Sequence, residues 1–325
     1  MALVRWGILG TAAIAESLAE GIRLSSNSHL TAIASRDAAK AKAWADRFDV
    51  PHAFGSYDEL LRSGVVDAVY IPLPNSLHAE WTIRSLEAGL PVLCEKPLTA
   101  NAAEAREILR ARDRTGLPVM EAFMYRYHPM YARVRACLDE GAIGEVIGIH
   151  GVFSFFLDDR SSIVVSPDLA GGALLDVGCY PVNLSRLVAG CEPVRASAMM
   201  RGGAVDNTLI GMLEFPNGLL AQIECSIECF ERVRAEITGT RGAIVMESPW
   251  NPGNRRAEFI LCREGATERI ETPGANRFQL EVEDFANAVR TGTAPRWPIE
   301  DAVANMAALD ALITAARTGT VVAVG

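Results

Sequence analysis

The 325-residue chain has no CxxC pair, no run of five lysines and arginines, and no uncharged apolar run near the roughly 18 residues that a membrane span needs. Each absence removes a class of function. The seven cysteines (Cys94, Cys137, Cys179, Cys191, Cys225, Cys229, Cys262) are odd in number and spread through regular stretches, so they read as buried thiols in a reducing compartment, the cytoplasm. A net charge of -9 without a basic run makes nucleic acid no partner, and the lack of an apolar span gives no membrane attachment. The five histidines (His29, His52, His78, His128, His150) show no paired ligand spacing, so no metal is implied, and no serine or cysteine sits in a nucleophile motif. There is no internal repeat and no low-complexity segment.

What remains is a chain with half its residues hydrophobic and 22% charged, enough to bury a sizeable core and too long for a single one. The stretch "MALVRWGILGTAAIAE" imitates a secretory signal, but its positive region is weak and the same residues open a nucleotide-binding unit that cleavage would destroy.

Up to residue 122, short apolar runs alternate with amphipathic ones. Val4–Leu9, Leu30–Ser35, Ala68–Pro72, Val92–Glu95 and Val119–Ala122 read as strands; Ile14–Leu24, Ala38–Phe48 and residues 79–88 read as helices. Ser56 with Glu59, and Asn101 with Glu104, have capping-box spacing. Such βα alternation predicts a parallel sheet covered by helices on both faces. Beyond 122 a helix over Met130–Glu140 leads into longer strands, the clearest being "AQIECSIECF". There Ile223, Cys225, Ile227 and Cys229 alternate with Gln222, Glu224, Ser226 and Glu228, which predicts a sheet with one buried face and one face toward water or a partner. A last helix spans about 299–317. The expected division is 1–122 and 123–325.

"WGILGTAAIAE" sets Gly10 between the first strand and the first helix, where free N–H groups and the helix dipole favour a phosphate. Against G-x-G-x-x-G/A, Ala12 replaces the second glycine and Ala15 fills the third position. The second strand ends "AIASRD": Ser35 and Arg36 leave room and charge for a 2′-phosphate and point to NADP, while Asp37 keeps NAD open through a one-residue shift. Lys96 follows the strand ending at Glu95, at the sheet edge where ligands of doubly wound folds sit; a lysine snorkelling from a strand end is the alternative there. In "GGALLDVGCYPVN", Asp176 and Tyr180 lie four residues apart. Pro181 is tolerated only in a first helical turn, which predicts a helix beginning just after Asp176 or Gly178 with Asp176 as its cap.

Taken in order, "WGILGTAAIA", "YIPLPNSLH", "LCEKPL", "EAFMYRYHP" and "GGALLDVGCYPVN" resemble the glucose-fructose oxidoreductase / inositol dehydrogenase (Gfo/Idh/MocA) family over nearly the whole chain. The resemblance implies an α/β protein: an N-terminal Rossmann domain with a doubly wound parallel sheet, and a C-terminal α/β domain with a large open-faced, mostly antiparallel sheet. A nicotinamide cofactor would lie between them, with assembly as a homodimer or homotetramer through the C-terminal sheet. Carried over by position, Gly10, Thr11, Ala12 and Ile14 are the phosphate loop, and Leu73, Pro74, Asn75 and His78 run beside the cofactor. Glu95 and Lys96 belong to the EKP motif. Asp176 and Tyr180 match the family's D-x-x-x-[HY] pair, with tyrosine favouring the aldose-type branch over inositol dehydrogenases. Arg126, followed by Tyr127 and His128, suits a substrate contact or a structural arginine.

The chemistry implied is hydride transfer between NADP and a sugar, C1 oxidation of an aldopyranose such as xylose or glucose or the reverse. A base must take the hydroxyl proton. A free tyrosine titrates near 10, and an ammonium such as Lys96 lowers such a value and stabilises alkoxide charge. The resemblance also leaves a trans-dihydrodiol dehydrogenase, a 3-ketosugar reductase and a non-enzymatic NADP-sensing binding protein as alternatives.

Overall fold

The computed structural model describes residues 3–325 apart from residue 160, and the chain divides into two units. The first contains β1 (Val4–Leu9), α1 (Ile14–Leu24), β2 (Ser28–Ala34), α2 (Ala38–Phe48), β3 (His52–Phe54), α3 (Tyr57–Arg62), β4 (Ala68–Ile71), α4 (Asn75–Glu87), β5 (Val92–Glu95), α5 (Ala102–Thr115) and β6 (Val119–Ala122). Its six strands pair in parallel in the order β3-β2-β1-β4-β5-β6, the dinucleotide-binding order with its switch between β1 and β4. Helix starts follow local chemistry: Ser56 Oγ accepts the Glu59 amide at 3.2 Å, and Asn101 Oδ1 accepts that of Glu104 at 3.0 Å. Helix α4 begins at Asn75, four residues before the expected 79.

The second unit contains α6 (Pro129–Asp139), β7 (Val146–Phe156), α7 (Cys179–Ala189), β8 (Arg195–Gly202), β9 (Asp206–Glu214), β10 (Leu220–Ser226), β11 (Glu228–Gly239), β12 (Gly242–Met246), β13 (Arg256–Arg263) and β14 (Ala266–Pro273). After α8 (Arg277–Thr291), the later part of α9 (Ile299–Thr318) and β15 (Val322–Ala323) return to it. Its nine strands run β14-β13-β12-β11-β7-β10-β9-β8-β15, antiparallel except for β7 with β10. Ile149, Leu213, Ala221, Ile237 and Ile244 fill the buried face. The other face exposes Met199, Ile210, Met212 and Leu220 beside the ion pairs Arg195–Glu214 and Arg232–Glu224. Ser226 departs from the polar face expected of it: it is buried and shares a 2.7 Å hydrogen bond with Thr208.

The division at 122 needs correction. Residues 276–303 cluster with the first unit, which runs to Met124, so the expected 123–325 block is interrupted. The reason is packing. A Cβ at Gly21 of α1 would stand 2.8 Å from the Phe278 backbone, so glycine lets α8 approach closely. The rings of Trp6 and Phe285 lie 5.7 Å apart, and Asn27 Nδ2 donates to the Glu283 carbonyl at 2.9 Å. No helix of the described residues is long and apolar enough to cross a membrane, and no cluster of metal-ligating side chains occurs among them.

Candidate active site

Gly10 closes β1 with a φ of +117°, a left-handed conformation that glycine adopts without strain, and its missing Cβ leaves room for Leu73, whose Cδ2 would lie 3.0 Å away. Thr11 is half-buried, and Ala12 and Ala13 are exposed. Ala13, the N-cap of the eleven-residue α1, brings no side-chain acceptor; the amides of Ala15 and Glu16 turn back onto the carbonyls of Ala12 and Ala13 at 3.0 and 3.1 Å, and the turn after Gly10 stays open to solvent. That cradle fits a cofactor phosphate, and Ala12, being exposed, does not close it.

At the end of β2 the two cofactor readings separate. Asp37 Oδ1 accepts the amides of Ala39 at 2.9 Å and Lys40 at 3.2 Å, which commits it to the N-cap of α2. Ser35 is buried, its Oγ accepting the Asp37 amide at 3.2 Å. Arg36 stays exposed, its guanidinium beside the Tyr57 phenol. The end of β2 therefore offers an exposed cation, and the neighbouring acid is turned into the helix.

The edge formed by the ends of β4 and β5 gathers Leu73, His78, Glu95, Lys96 and Pro97. His78 is fully buried, its Nδ1 2.8 Å from the Pro97 carbonyl and its Nε2 2.7 Å from that of Leu73. Burial lowers its pKa from 6.5 to about 4, although both carbonyls favour the cation. Both ring nitrogens face backbone carbonyls, so the His78 side chain ties the loop at Leu73 to the loop at Pro97. Glu95 is likewise turned inward. Its Oε1 accepts the Tyr70 hydroxyl at 2.5 Å and its Oε2 the Lys96 amide at 3.2 Å, and burial raises its pKa while Lys96 opposes that rise. Lys96, half-buried, joins Pro97 through a cis peptide. Pro74 and Asn75 are half-buried at the start of α4, and Ile14 at the start of α1.

In the second unit, Asp176 and Tyr180 share one helical run. The expected cap at Asp176 is not found: a π-helical turn over Leu174–Gly178 precedes α7, so Asp176 lies inside the run and its amide donates to the Gly172 carbonyl at 3.0 Å. Pro181 offers no N–H to the carbonyl four residues back and its ring crowds it; a wider turn just before it accommodates both defects. Tyr180 is buried, its ring 5.5 Å from Phe153, 5.8 Å from Trp250 and 6.0 Å from Tyr125. Tyr125 in turn donates to Asn183 Oδ1 at 2.6 Å. Arg126 is 4% exposed. His128 caps α6 by accepting the Met130 amide at Nδ1, 3.1 Å, while Nε2 donates to the Gly253 carbonyl at 3.2 Å, a structural role.

Sequence reasoning missed three supporting residues. Asp206 accepts the Leu174 amide at 2.7 Å, Tyr70 holds Glu95, and Trp250 walls Tyr180. Nothing in one sequence marks Asp206 or Trp250. Tyr70, two residues before Pro72 in the quoted "YIPLPNSLH", was visible, but its partner was not.

Comparison with known proteins agrees with this geometry. Residues 4–123 match the Gfo/Idh/MocA model described as an oxidoreductase family with an NAD-binding Rossmann fold, and residues 131–245 match the C-terminal domain of the same family. The D-xylose 1-dehydrogenase (NADP(+)) 2 of Haloferax volcanii is 40% identical over 98% of each chain. The dTDP-3,4-didehydro-2,6-dideoxy-alpha-D-glucose 3-reductase of Actinomadura kijaniata is 34% identical over 97% of this chain and 96% of its own. A crystal structure of a 3-ketoreductase from Actinomadura kijaniata, in complex with NADP and TDP-benzene, superposes with a TM-score of 0.92 at 32% identity, covering 96% of this chain and 98% of that one.

Proposed function

The chain belongs to the Gfo/Idh/MocA family of oxidoreductases, and on that premise we propose that it is an NADP-dependent dehydrogenase oxidising C1 of an aldopyranose such as xylose or glucose. The observation that carries this reading is the end-to-end match, 40% identical, to an NADP-dependent D-xylose dehydrogenase. Arg36, with Asp37 withdrawn into its cap, supports NADP over NAD. The cofactor supplies a hydride acceptor when bound. Thr11 and Ala12 would hold its phosphates through backbone amides, with Gly10 shaping the turn while its own amide donates to the Ala34 carbonyl at 2.9 Å, and Arg36 would pair with the 2′-phosphate. Tyr180 takes the hydroxyl proton, Lys96 hydrogen-bonds the reacting oxygen and stabilises its developing charge, and Asp176 orients a substrate hydroxyl.

Reduction of a 3-ketosugar, hydride transfer in the opposite direction and at C3 rather than C1, is the second reading, favoured by the ketoreductase relatives. Variants of that ketoreductase have been solved with a lysine or a tyrosine replaced, and those two stand as many residues apart as Lys96 and Tyr180. A screen of aldoses with NADP and NAD in parallel, and of ketosugars with the reduced cofactors, decides between them. Xylose or glucose oxidation with NADP is the expected outcome, and activity on ketosugars alone would replace it.

Self-association through the exposed face of the nine-stranded sheet is part of the same proposal. Met199, Ile210, Met212 and Leu220 form an apolar patch whose neighbouring charges are balanced in pairs, so a second copy meets no like-charge repulsion. The wild type is expected to sediment as a dimer or tetramer and Ile210→Glu as a monomer; a monomeric wild type would contradict the proposal.

A further inference from the structure

The glycine pair that opens "GGALLDVGCYPVN" has a partner elsewhere in the second unit. Gly172 has a φ of +121°, and a Cβ there would stand 2.2 Å from Asp206 Oδ1, a clash with the carboxylate itself. The space left by the missing side chain is thus filled by Asp206, at the first position of β9. Its Oδ2 accepts the Leu174 amide at 2.7 Å, one of the first-turn donors of the run that continues through the π turn into α7. The side chain is 5% exposed and carries no part in the proton chemistry described above.

We propose that Asp206 is a positioning residue: seated against Gly172, it anchors the start of the helical run and so sets where Asp176 and Tyr180 stand. Asp176 lies two residues beyond the anchored amide and Tyr180 six, with no loop between. A shift at Leu174 therefore passes to both along hydrogen-bonded backbone, and sub-ångström placement is what proton transfer needs. The environment of Asp206 fits an anchor. Burial raises its pKa to about 6, opposed by the amide hydrogen bonds and by Arg317 of α9; Cys225 of β10 is the titratable group facing it from the adjacent strand, a thiol that burial holds neutral. Above that value the carboxylate is ionised and its bond to Leu174 is charge-assisted.

The inference rests on Tyr180 as proton acceptor, and the test separates the two. Asp206→Asn keeps an oxygen able to accept the Leu174 amide; Asp206→Ala removes it; Gly172→Ala drives a methyl into the carboxylate. With wild-type CD spectra as the control for folding, Asp206→Ala and Gly172→Ala are expected to lower kcat roughly 10- to 100-fold with NADP Kd unchanged, and Asp206→Asn to restore kcat to within about threefold of wild type. Hydrogen exchange over residues 171–183 is expected to quicken in the Ala variants and not in Asp206→Asn, a readout independent of the reaction. Unchanged exchange and kcat in folded Asp206→Ala overturn the anchor. Loss in Asp206→Asn equal to that in Asp206→Ala also overturns it, since charge rather than the hydrogen-bonded seat would then matter. If Asp206→Ala does not fold, Gly172→Ala and Asp206→Asn decide by the same two readouts. Tyr180→Phe, assayed alongside, fails separately: full activity there refutes the proton-acceptor reading, while the exchange data still report on the anchor.

Discussion

The carboxylate of Asp37 accepts the amide hydrogen of Ala39 at 2.9 Å. This bond supports NADP over NAD in the proposed reading of Ser35-Arg36-Asp37, because it commits the acid to capping α2. Arg36→Ala is expected to weaken NADP binding by roughly 10- to 100-fold, the worth of a charge-assisted hydrogen bond, with NAD affinity unaltered. Asp37→Ser, which preserves the cap, is expected to leave the NADP preference in place. Titrations of protein fluorescence with each cofactor measure both; an NAD-preferring Asp37→Ser variant would contradict the assignment.

His78 carries a pH signature. Its pKa is lowered from 6.5 to about 4, so the stability it provides is fully present above pH 6.5 and is lost as pH falls toward 4. Over that window the loss amounts to roughly 3 kcal/mol. His78→Gln is expected to flatten this limb, and His78→Ala to cost about 1–3 kcal/mol at neutral pH by stranding the one carbonyl, of Leu73 or Pro97, to which the neutral ring donates. Urea melts at a series of pH values give the answer, and parallel wild-type and His78→Gln curves would sink it.

Asp206 has the opposite sign. Its pKa is raised from 3.8 to about 6, so the folded state holds a proton that the unfolded state has released, and stability falls as pH rises from 3.8 through 6. Asp206→Asn cannot ionise. The stability of that variant relative to wild type is expected to grow across the same interval, by up to roughly 3 kcal/mol, and a constant difference would contradict the buried, ionised carboxylate.

Gly21→Ala tests the reassignment of α8. An added methyl 2.8 Å from the Phe278 backbone has nowhere to go, and a cost of about 1–3 kcal/mol is expected, despite the better helix propensity of alanine. A neutral or stabilising effect in thermal melts would show that α8 does not sit close against α1.

The alternation of strand and helix up to Ala122 was legible because β1, β4, β5 and β6 are buried, mostly apolar runs and α3 and α5 carry their own caps at Ser56 and Asn101; the short, largely exposed β3 was not read. Helix α8 was not read, although Asn276 caps it and Phe278, Val282, Phe285 and Ala286 mark its buried side; it sits among strands and returns to a unit left more than 150 residues earlier. Of the proposed site, the residues whose chemistry is their own stood out: Gly10, Arg36, Lys96, Asp176 and Tyr180. Those whose role depends on a distant partner did not. The carbonyls of Leu73 and Pro97 that His78 faces could not be read from the sequence, and Asp206 has meaning only once Gly172 lies against it.

The central claim is that Lys96 and Tyr180 carry proton transfer in an NADP-dependent sugar oxidoreductase. Single-turnover reduction of NADP by D-xylose or D-glucose, followed by nicotinamide absorbance in wild type, Lys96→Ala and Tyr180→Phe with cofactor saturating, tests it most directly. Both variants are expected to bind NADP and to lose roughly 10²- to 10⁴-fold in rate. Rates equal to wild type in both would contradict the account.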